Sequence, residues 1–427
     1  MSTHLALVTT ENLLRSPFPC AGGGIRIWGL GEALRSQGVN CTYFLEEKLA
    51  EKIQPAADLP IQFFKSENLH RRIRESGCDA ALFEQWQPMM YLQKSLDIPV
   101  IVDLPGPLAL EYHWRDPNNF YQHVIDKLNC LAQADYFICA HQRQVGYYSA
   151  WLTWAGLPPE SVDRIRVIPF TLHEMPFSRQ GFVEDEPIFF WGGMFWQWQD
   201  RFRAFQLLAD VLARHRQGQL VVVGEPDQKG ADQRYQELKD HPHVSWLGKL
   251  GFTEYVHELK RAMIAVDLCQ PSMERTLSSD LRTGTALWSG TPCLVTPESA
   301  WAEWIEQHNA GWVLPYQDEK QLTALMTEIA LNRGDIVAKR RGARALSQQI
   351  CQNENVNPLL NWLDHPTKRK PQRPFHTARS QDREKRLMQL QKLADQYRHE
   401  NTELRRDLAA IRSKLLFRIY KFITGGK

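Results

Sequence analysis

The pattern of this 427-residue chain predicts an α/β protein, two Rossmann-like domains facing a cleft, followed by a C-terminal helical coiled-coil tail. Three observations carry that expectation. Short β-branched runs alternate with segments of helical period, the signature of parallel sheets with crossover helices. The alternation lapses over residues 170–186 and restarts at Pro187. Beyond Leu363 the composition turns basic and Pro-rich, and a heptad pattern then begins.

In the first half the strands fall at residues 5–9, 41–45, 80–83, 99–103, 136–140 and 166–168, with helices such as 24–36 and 121–132 between them. The second half places strands at 187–191, 219–223, 244–246, 263–267, 292–295 and 311–313. The expected domains are therefore 1–172 and 186–362. A basic linker expected to be disordered, 363–382, follows, and then a coiled coil over 383–427.

Leu387, Leu390, Ala394, Tyr397, Asn401, Leu404, Leu408, Ile411 and Leu415 alternate spacings of three and four, an a/d seam with Asn401 on an a position. A buried Asn there favours a parallel two-stranded register, so a homodimer through 387–415 is expected. The rival reading is a helix packed on its own domain. Residues 414–423 mix bulky apolar and basic groups, and no acidic residue follows Asp407. Such a segment suits an anionic membrane surface, or else is the frayed end of the coil.

Charge and cysteine usage narrow the class. A net charge of +2 gives no global reason to expect nucleic acid as a partner. The eight cysteines form no CxxC pair and no zinc spacing, so free thiols of a reducing compartment are expected, and no metal. The N-terminus lacks a signal peptide's basic flank and apolar core. No apolar run reaches the roughly 18–20 residues that span a bilayer. The expected location is cytoplasmic, or peripheral on the inner face of the plasma membrane.

The chemistry is concentrated where strands run into helices. The segment from Met273 to Pro292 leaves a strand, opens a polar loop with Glu274, Arg275, Ser278, Arg282 and Thr283, and closes its helix at Gly290-Thr291-Pro292. A helix start at the C-terminal edge of a parallel sheet has free N–H groups and a positive dipole end, so an anion, here a phosphate ester, is the expected ligand. Gly192 and Gly193 follow the strand at 187–191, where backbone amides would meet a diphosphate and Trp198 or Trp196 would wall the site. Gly22, Gly23, Gly24 and Arg26 occupy the matching place in the first half, without the GxGxxG spacing of dinucleotide binders. Asp103 ends a strand and so faces a cleft; Glu111 is a cap or ion-pair candidate. His141 is either a proton donor, a sugar-hydroxyl partner or a structural loop histidine.

Taken in order, these segments resemble a family 4 glycosyltransferase of the GT-B fold, over roughly residues 1–360. The motifs are Gly22-Gly23-Gly24-Ile25-Arg26 with Trp28 and Leu30, Asp103-Leu104-Pro105 with Leu110-Glu111, and Arg143-Gln144. In the second half they are Trp191-Gly192-Gly193 with Trp198 and Asp200, and Glu274-Arg275 through Arg282-Thr283 to Pro292. They are similar to a subgroup found among bacterial surface-polysaccharide enzymes. The resemblance implies a retaining, metal-independent transfer with no cofactor. A nucleotide-diphosphate sugar would bind the second domain, and the first would receive a glycan or lipid-linked acceptor. Catalytic candidates are Asp103, Glu274, Arg282 and His141. Donor contacts would come from Gly192, Gly193, Trp198, Lys249, Arg275, Ser278, Arg282, Thr283 and Thr285, and the acceptor-side loop would be Gly22, Gly23, Gly24 and Arg26. One departure stands out. Relatives carry a Glu five residues before the Gly of Gly-x-Pro to grip the donor ribose, and here that residue is Thr285. Two alternatives follow: a non-catalytic GT-B scaffold dimerising at the membrane, and a nucleotide-sugar epimerase.

Overall fold

The structure is a computed structural model, and it describes residues 3–14, 18–53, 59–92, 94–158, 160, 165–172, 187–225, 233–331, 333–369, 391–393, 396–408 and 411. The chain divides into two units, Met1–Lys370 and Pro371–Lys427.

Within the first unit, seven parallel strands make one sheet: β1 (His4–Thr9), β2 (Asn40–Glu46), β3 (Ile61–Phe64), β4 (Ala80–Glu84), β5 (Val100–Leu104), β6 (Tyr136–Cys139) and β7 (Ile165–Val167). Their order is β3-β2-β1-β4-β5-β6-β7. Six more make a second parallel sheet: β8 (Ile188–Gly192), β9 (Gln219–Val223), β10 (Val244–Gly248), β11 (Ile264–Asp267), β12 (Cys293–Val295) and β13 (Gly311–Val313). Their order is β10-β9-β8-β11-β12-β13. The two halves repeat one topology, and each reverses strand order once, between β1 and β4 and between β8 and β11. Such a switch point leaves a crevice beyond the strand C-termini.

Buried strands explain why the pattern was readable. Leu5 and Leu7 pack to one face of the first sheet with Ile27, Leu30 and Leu34 of the helix Gly22–Ser36, while Ala6 and Val8 pack to the other with Phe83 and Phe137. Side chains alternate between faces, and both faces carry helices, so the central strands are apolar throughout. β3 is an addition to the expected strands: residues 61–64 form an edge strand beside Tyr43 to Glu46 of β2. The first long helix also starts at Gly22, two residues earlier than expected.

The end of this unit returns to the first domain. Trp362, in the helix Asn357–Leu363, stacks on Tyr136 at 4.6 Å, and the Tyr136 hydroxyl donates to the Pro358 carbonyl at 2.9 Å. Lys368 Nζ lies 3.0 Å from Asp135, and the Arg369 N–H donates to the same carboxylate at 2.8 Å. Residues 364–369, expected as the start of the disordered linker, are therefore anchored; 370–382 lie outside the described residues.

In the second unit, residues 391–393, 396–408 and 411 are helical. Tyr397, Leu404, Leu408 and Ile411 are each more than 60% exposed, so the expected seam is an uncovered apolar stripe within that unit. Leu387, Leu390, Ala394, Leu415 and the basic-apolar end 414–423 lie outside the described residues. Among those described, no helix is long and apolar enough to cross a membrane.

Candidate functional site

A cavity of about 610 Å³ opens between the two switch points, lined by strand C-termini and the loops after them. Its second-domain wall is organised around Asp267, the last residue of β11. One oxygen accepts from Arg275 at 2.9 Å and Thr283 at 2.8 Å, the other from Arg282 at 3.2 Å. Burial alone would raise this carboxyl, yet the guanidiniums of Arg275, Arg282 and Arg201 hold it well below the usual range. Arg275 is itself buried and also pairs with Asp280. Arg282 keeps 18% side-chain exposure and lines the cavity, its second Nη donating to Gln199 at 3.0 Å. The amide of Gln199 in turn donates to both oxygens of Glu274 at 3.2 Å, and Glu274 is raised by burial.

Glycines bring this wall together. Gly193 sits at φ +151, a conformation that disfavours side chains, and a Cβ there would stand 3.3 Å from Arg282 Nε. Its N–H donates to the Val223 carbonyl at 3.0 Å, so this amide serves the sheet rather than a ligand. The helix Leu281–Trp288 begins at the wall, with Asp280 in the left-handed region at φ +46. Its first amides lack partners within the helix, as at any helix start. Lys249, beyond β10, is exposed on the cavity rim.

The first-domain wall is acidic. Glu84 ends β4 and is raised to about 8 by burial, then by the Glu11 and Asp103 charges. Among the described residues its one hydrogen bond comes from the Thr9 hydroxyl at 3.4 Å, the weak end of the range. A buried carboxyl so poorly satisfied costs about 1–3 kcal/mol. Glu111 is raised to about 7 by burial and by Glu274 across the cavity, despite Arg115 at 3.4 Å. Glu11 is raised chiefly by burial as well.

Several expected site residues have other tasks. Asp103 is 0% exposed and accepts from Arg26 Nε at 2.9 Å and Nη2 at 3.1 Å, while Arg26 Nη1 donates to the Pro169 carbonyl at 2.9 Å. Both lie beneath the cavity wall, a buried ion pair that fixes the helix Gly22–Ser36 to β5. The first three glycines of that helix admit close neighbours: a Cβ would meet Leu281 at 2.7 Å from Gly22, Glu84 at 2.4 Å from Gly23, and the Asn12 carbonyl at 1.9 Å from Gly24. Gly22 and Gly23 line the cavity.

His141 lies on the seam between the domains, its Nε2 3.1 Å from the Ser278 carbonyl. Burial lowers it to about 4, so the neutral ring donates through Nε2 there. Gln144 strengthens the same seam, donating to the Leu277 carbonyl at 2.7 Å. Trp198 is buried behind the cavity, stacked at 5.5 Å on Trp114 of the first domain and at 5.0 Å on Trp196, and it is Trp196 that lines the space. Thr283 is spent on Asp267, and Ser278 donates to Asp280 at 3.0 Å. Thr285 lines the cavity, but its hydroxyl donates back to the Leu281 carbonyl at 2.7 Å.

Glu11, Glu84 and Gln199 went unremarked in the sequence. Glu84 had a usable signal, since it ends a strand as Asp103 does. Among the described residues, no group of three or more His, Cys, Asp or Glu stands close enough to hold a metal ion.

Comparison with known proteins places this geometry. Residues 186–332 match the family model described as Glycosyl transferases group 1. No curated protein sequence matches the chain. Among solved structures, the sucrose-phosphate synthase (tll1590) from Thermosynechococcus elongatus is similar with TM-score 0.60 and 16% identity, over 85% of this chain and 98% of that one. WaaG, a glycosyltransferase involved in lipopolysaccharide biosynthesis, is similar with TM-score 0.60 and 12% identity, over 84% and 98%. Anabaena Alr3699/HepE, in complex with UDP and glucose, is similar with TM-score 0.58 and 12% identity, over 84% and 98%. At such identities the likeness is one of fold. Residues 186–332 form a domain of the group 1 glycosyltransferase family, and the two-domain chain has the GT-B fold.

Proposed function

We propose that this chain moves a sugar from a nucleotide-diphosphate sugar to a glycan or lipid-linked acceptor in surface-polysaccharide synthesis, with retention of anomeric configuration and without a metal ion. The supporting observation is that Gly192, Glu274 and Arg282 line one cavity at the meeting of two switch points. HepE, of like fold, is in complex with UDP and glucose.

The chemical requirement is to hold the charge that develops on the departing diphosphate. In this reading Arg282, Lys249 and the amides at the start of Leu281–Trp288 face it as fixed donors. Asp267 and Gln199 keep the Arg282 fork in place before the donor arrives, so little reorganisation accompanies the reaction. Glu274, held by Gln199, lies where the donor sugar would sit. The acceptor enters from the first domain. The uncovered stripe Tyr397, Leu404, Leu408 and Ile411 supports a parallel homodimer, and the basic end beyond it would meet an anionic inner membrane surface.

The test is transfer by the full chain from UDP-, GDP- and dTDP-sugars to lipid-linked acceptors in EDTA, with product configuration read by NMR. Retained configuration is expected; an inverted product, or transfer that appears on adding Mg²⁺, overturns the corresponding part. One observation favours a rival, the non-catalytic scaffold: Thr285 stands at the ribose-gripping position with its hydroxyl engaged. That reading requires Arg282→Ala to leave cellular glycan unchanged while Leu404→Asp abolishes it.

A further inference from the structure

Glu84 is a cavity group that the transfer reading leaves without a task. It ends β4 at the first switch point, is 5% exposed, and lines the cavity. Thr9 touches its Oε2 at 3.4 Å, and no described group hydrogen-bonds Oε1. Oε1 is not among the fully buried unpartnered atoms, so it is open to the cavity and can hydrogen-bond a group from outside the chain.

Two independent features hold the side chain at this edge. Gln85 follows it in the left-handed region, φ +62, which bulky residues seldom adopt and which tends to persist at ligand sites. Gln85 Oε1, in the same lining, is a buried acceptor without a partner among the described residues. Gly23, in the facing helix, leaves the space Glu84 fills, since a Cβ there would stand 2.4 Å from Oε1.

The neighbouring charge decides what kind of donor fits. Glu11 and Glu111 line the same wall, and Asp103 lies behind it. The cations nearby are largely engaged: Arg26 with Asp103 and Arg115 with Glu111, with Lys52 at the rim. An acceptor that brought a carboxylate or phosphate against this wall would meet like charge in a partly desolvated space. A hydroxyl both donates and accepts without adding charge, so it pairs with Glu84 whether the carboxyl is protonated or ionised.

We infer that Glu84 reads the acceptor: its Oε1, open to the cavity, hydrogen-bonds a hydroxyl of an uncharged sugar, while Glu11 and Glu111 beside it turn away acceptors with an anionic group near that hydroxyl. The inference rests on the transfer reading above and assigns the chemistry of its acceptor side. It makes Glu84 a specificity-determining residue. Glu84 makes no hydrogen bond to a described residue of the second domain, so donor Kd is the control for its role on the acceptor side.

The experiment uses the full chain with p-nitrophenyl glycosides of glucose, galactose, N-acetylglucosamine and glucuronic acid. The donor is whichever of UDP-, GDP- and dTDP-glucose the wild type binds. Glu84→Leu should lose at least tenfold in kcat/KM on the neutral glycosides, through KM, with donor Kd and donor hydrolysis within twofold of wild type. Glu84→Gln, which keeps an acceptor oxygen, should stay within threefold. The glucuronide should be at least tenfold poorer than the glucoside, and the gap should close in the Glu11→Gln, Glu111→Gln double variant. Unchanged KM in a folded Glu84→Leu, an equally good glucuronide, or transfer to none of the neutral glycosides despite donor hydrolysis overturns this inference alone. Absence of any donor binding by the wild type overturns the transfer reading and this one with it.

Discussion

Glu84 and Asp267 occupy the same place in two copies of one topology, yet their surroundings are opposite. Each ends the strand beside the first strand of its sheet, at the switch point. Asp267 accepts from Arg275, Arg282 and Thr283, and their charge keeps it ionised. Glu84 has Thr9 at 3.4 Å and is pushed up to about 8 by burial and neighbouring carboxylates. A fully satisfied buried carboxylate is part of the protein's own framework; an unsatisfied one is waiting for a partner. The second wall is thus preassembled and presents guanidinium to the cavity, whereas the first is completed by what binds it. In the transfer reading proposed above, the preassembled wall would hold the donor's diphosphate and the other would meet the acceptor.

The comparison breaks most visibly at Asp267. Asp267→Ala strands Arg275 in the interior beside Asp280, and removing one member of a buried pair costs about 3–5 kcal/mol. Calorimetry of the full chain should show the loss; a change below about 1 kcal/mol would mean that the network does not hold this wall. Arg282→Ala tests the charge the wall presents. Transfer should fall by about 10²–10³, near 3–4 kcal/mol in the barrier, with the fold intact.

Glu84 predicts a pH effect of opposite sign to Asp267. Its folded-state value, about 8, lies above the ordinary 4.5, so between those values the folded chain binds more protons than the unfolded one. Stability therefore falls as pH rises through that window, by an amount on the order of 3 kcal/mol. Glu84→Gln should flatten this slope, measured as unfolding midpoints between pH 5 and 8. An unchanged slope would show that the carboxyl is solvated like a surface group.

Smaller effects concern the seam. Trp114→Ala removes the stack of the first domain on Trp198, which is worth about 0.5–1.5 kcal/mol beyond buried area. A small drop in stability and a weaker response of Trp fluorescence to donor are expected. Thr285→Ala should change donor Kd by less than about threefold, or roughly 0.6 kcal/mol, since the lost hydroxyl already serves Leu281.

These two walls also show what a linear sequence conveys. The sheets were legible because parallel strands covered on both faces are continuous apolar runs, and β3 escaped because Ile61-Gln62-Phe63-Phe64 is short and lies at an edge. That the second-domain wall gathers at strand ends was legible, since Gly192 ends β8 and Glu274 and Arg282 lie in the segment after β11. The first wall was misjudged between two strand-ending acids. Asp103 was expected in the cleft, but it meets Arg26, 77 residues away in sequence, and is consumed by it. No local pattern foretells such a pairing. The same limit applies to His141 and Trp198, whose partners Ser278 and Trp114 come from the opposite domain.

The most direct measurement is isothermal titration of UDP-, GDP- and dTDP-glucose into the full chain in EDTA, repeated with Mg²⁺ and with Arg282→Ala. A preassembled second wall predicts that at least one donor binds without metal, that Mg²⁺ changes its Kd by less than about threefold, roughly 0.6 kcal/mol, and that Arg282→Ala weakens it at least tenfold. Binding that requires Mg²⁺, or that ignores the loss of Arg282, would contradict it.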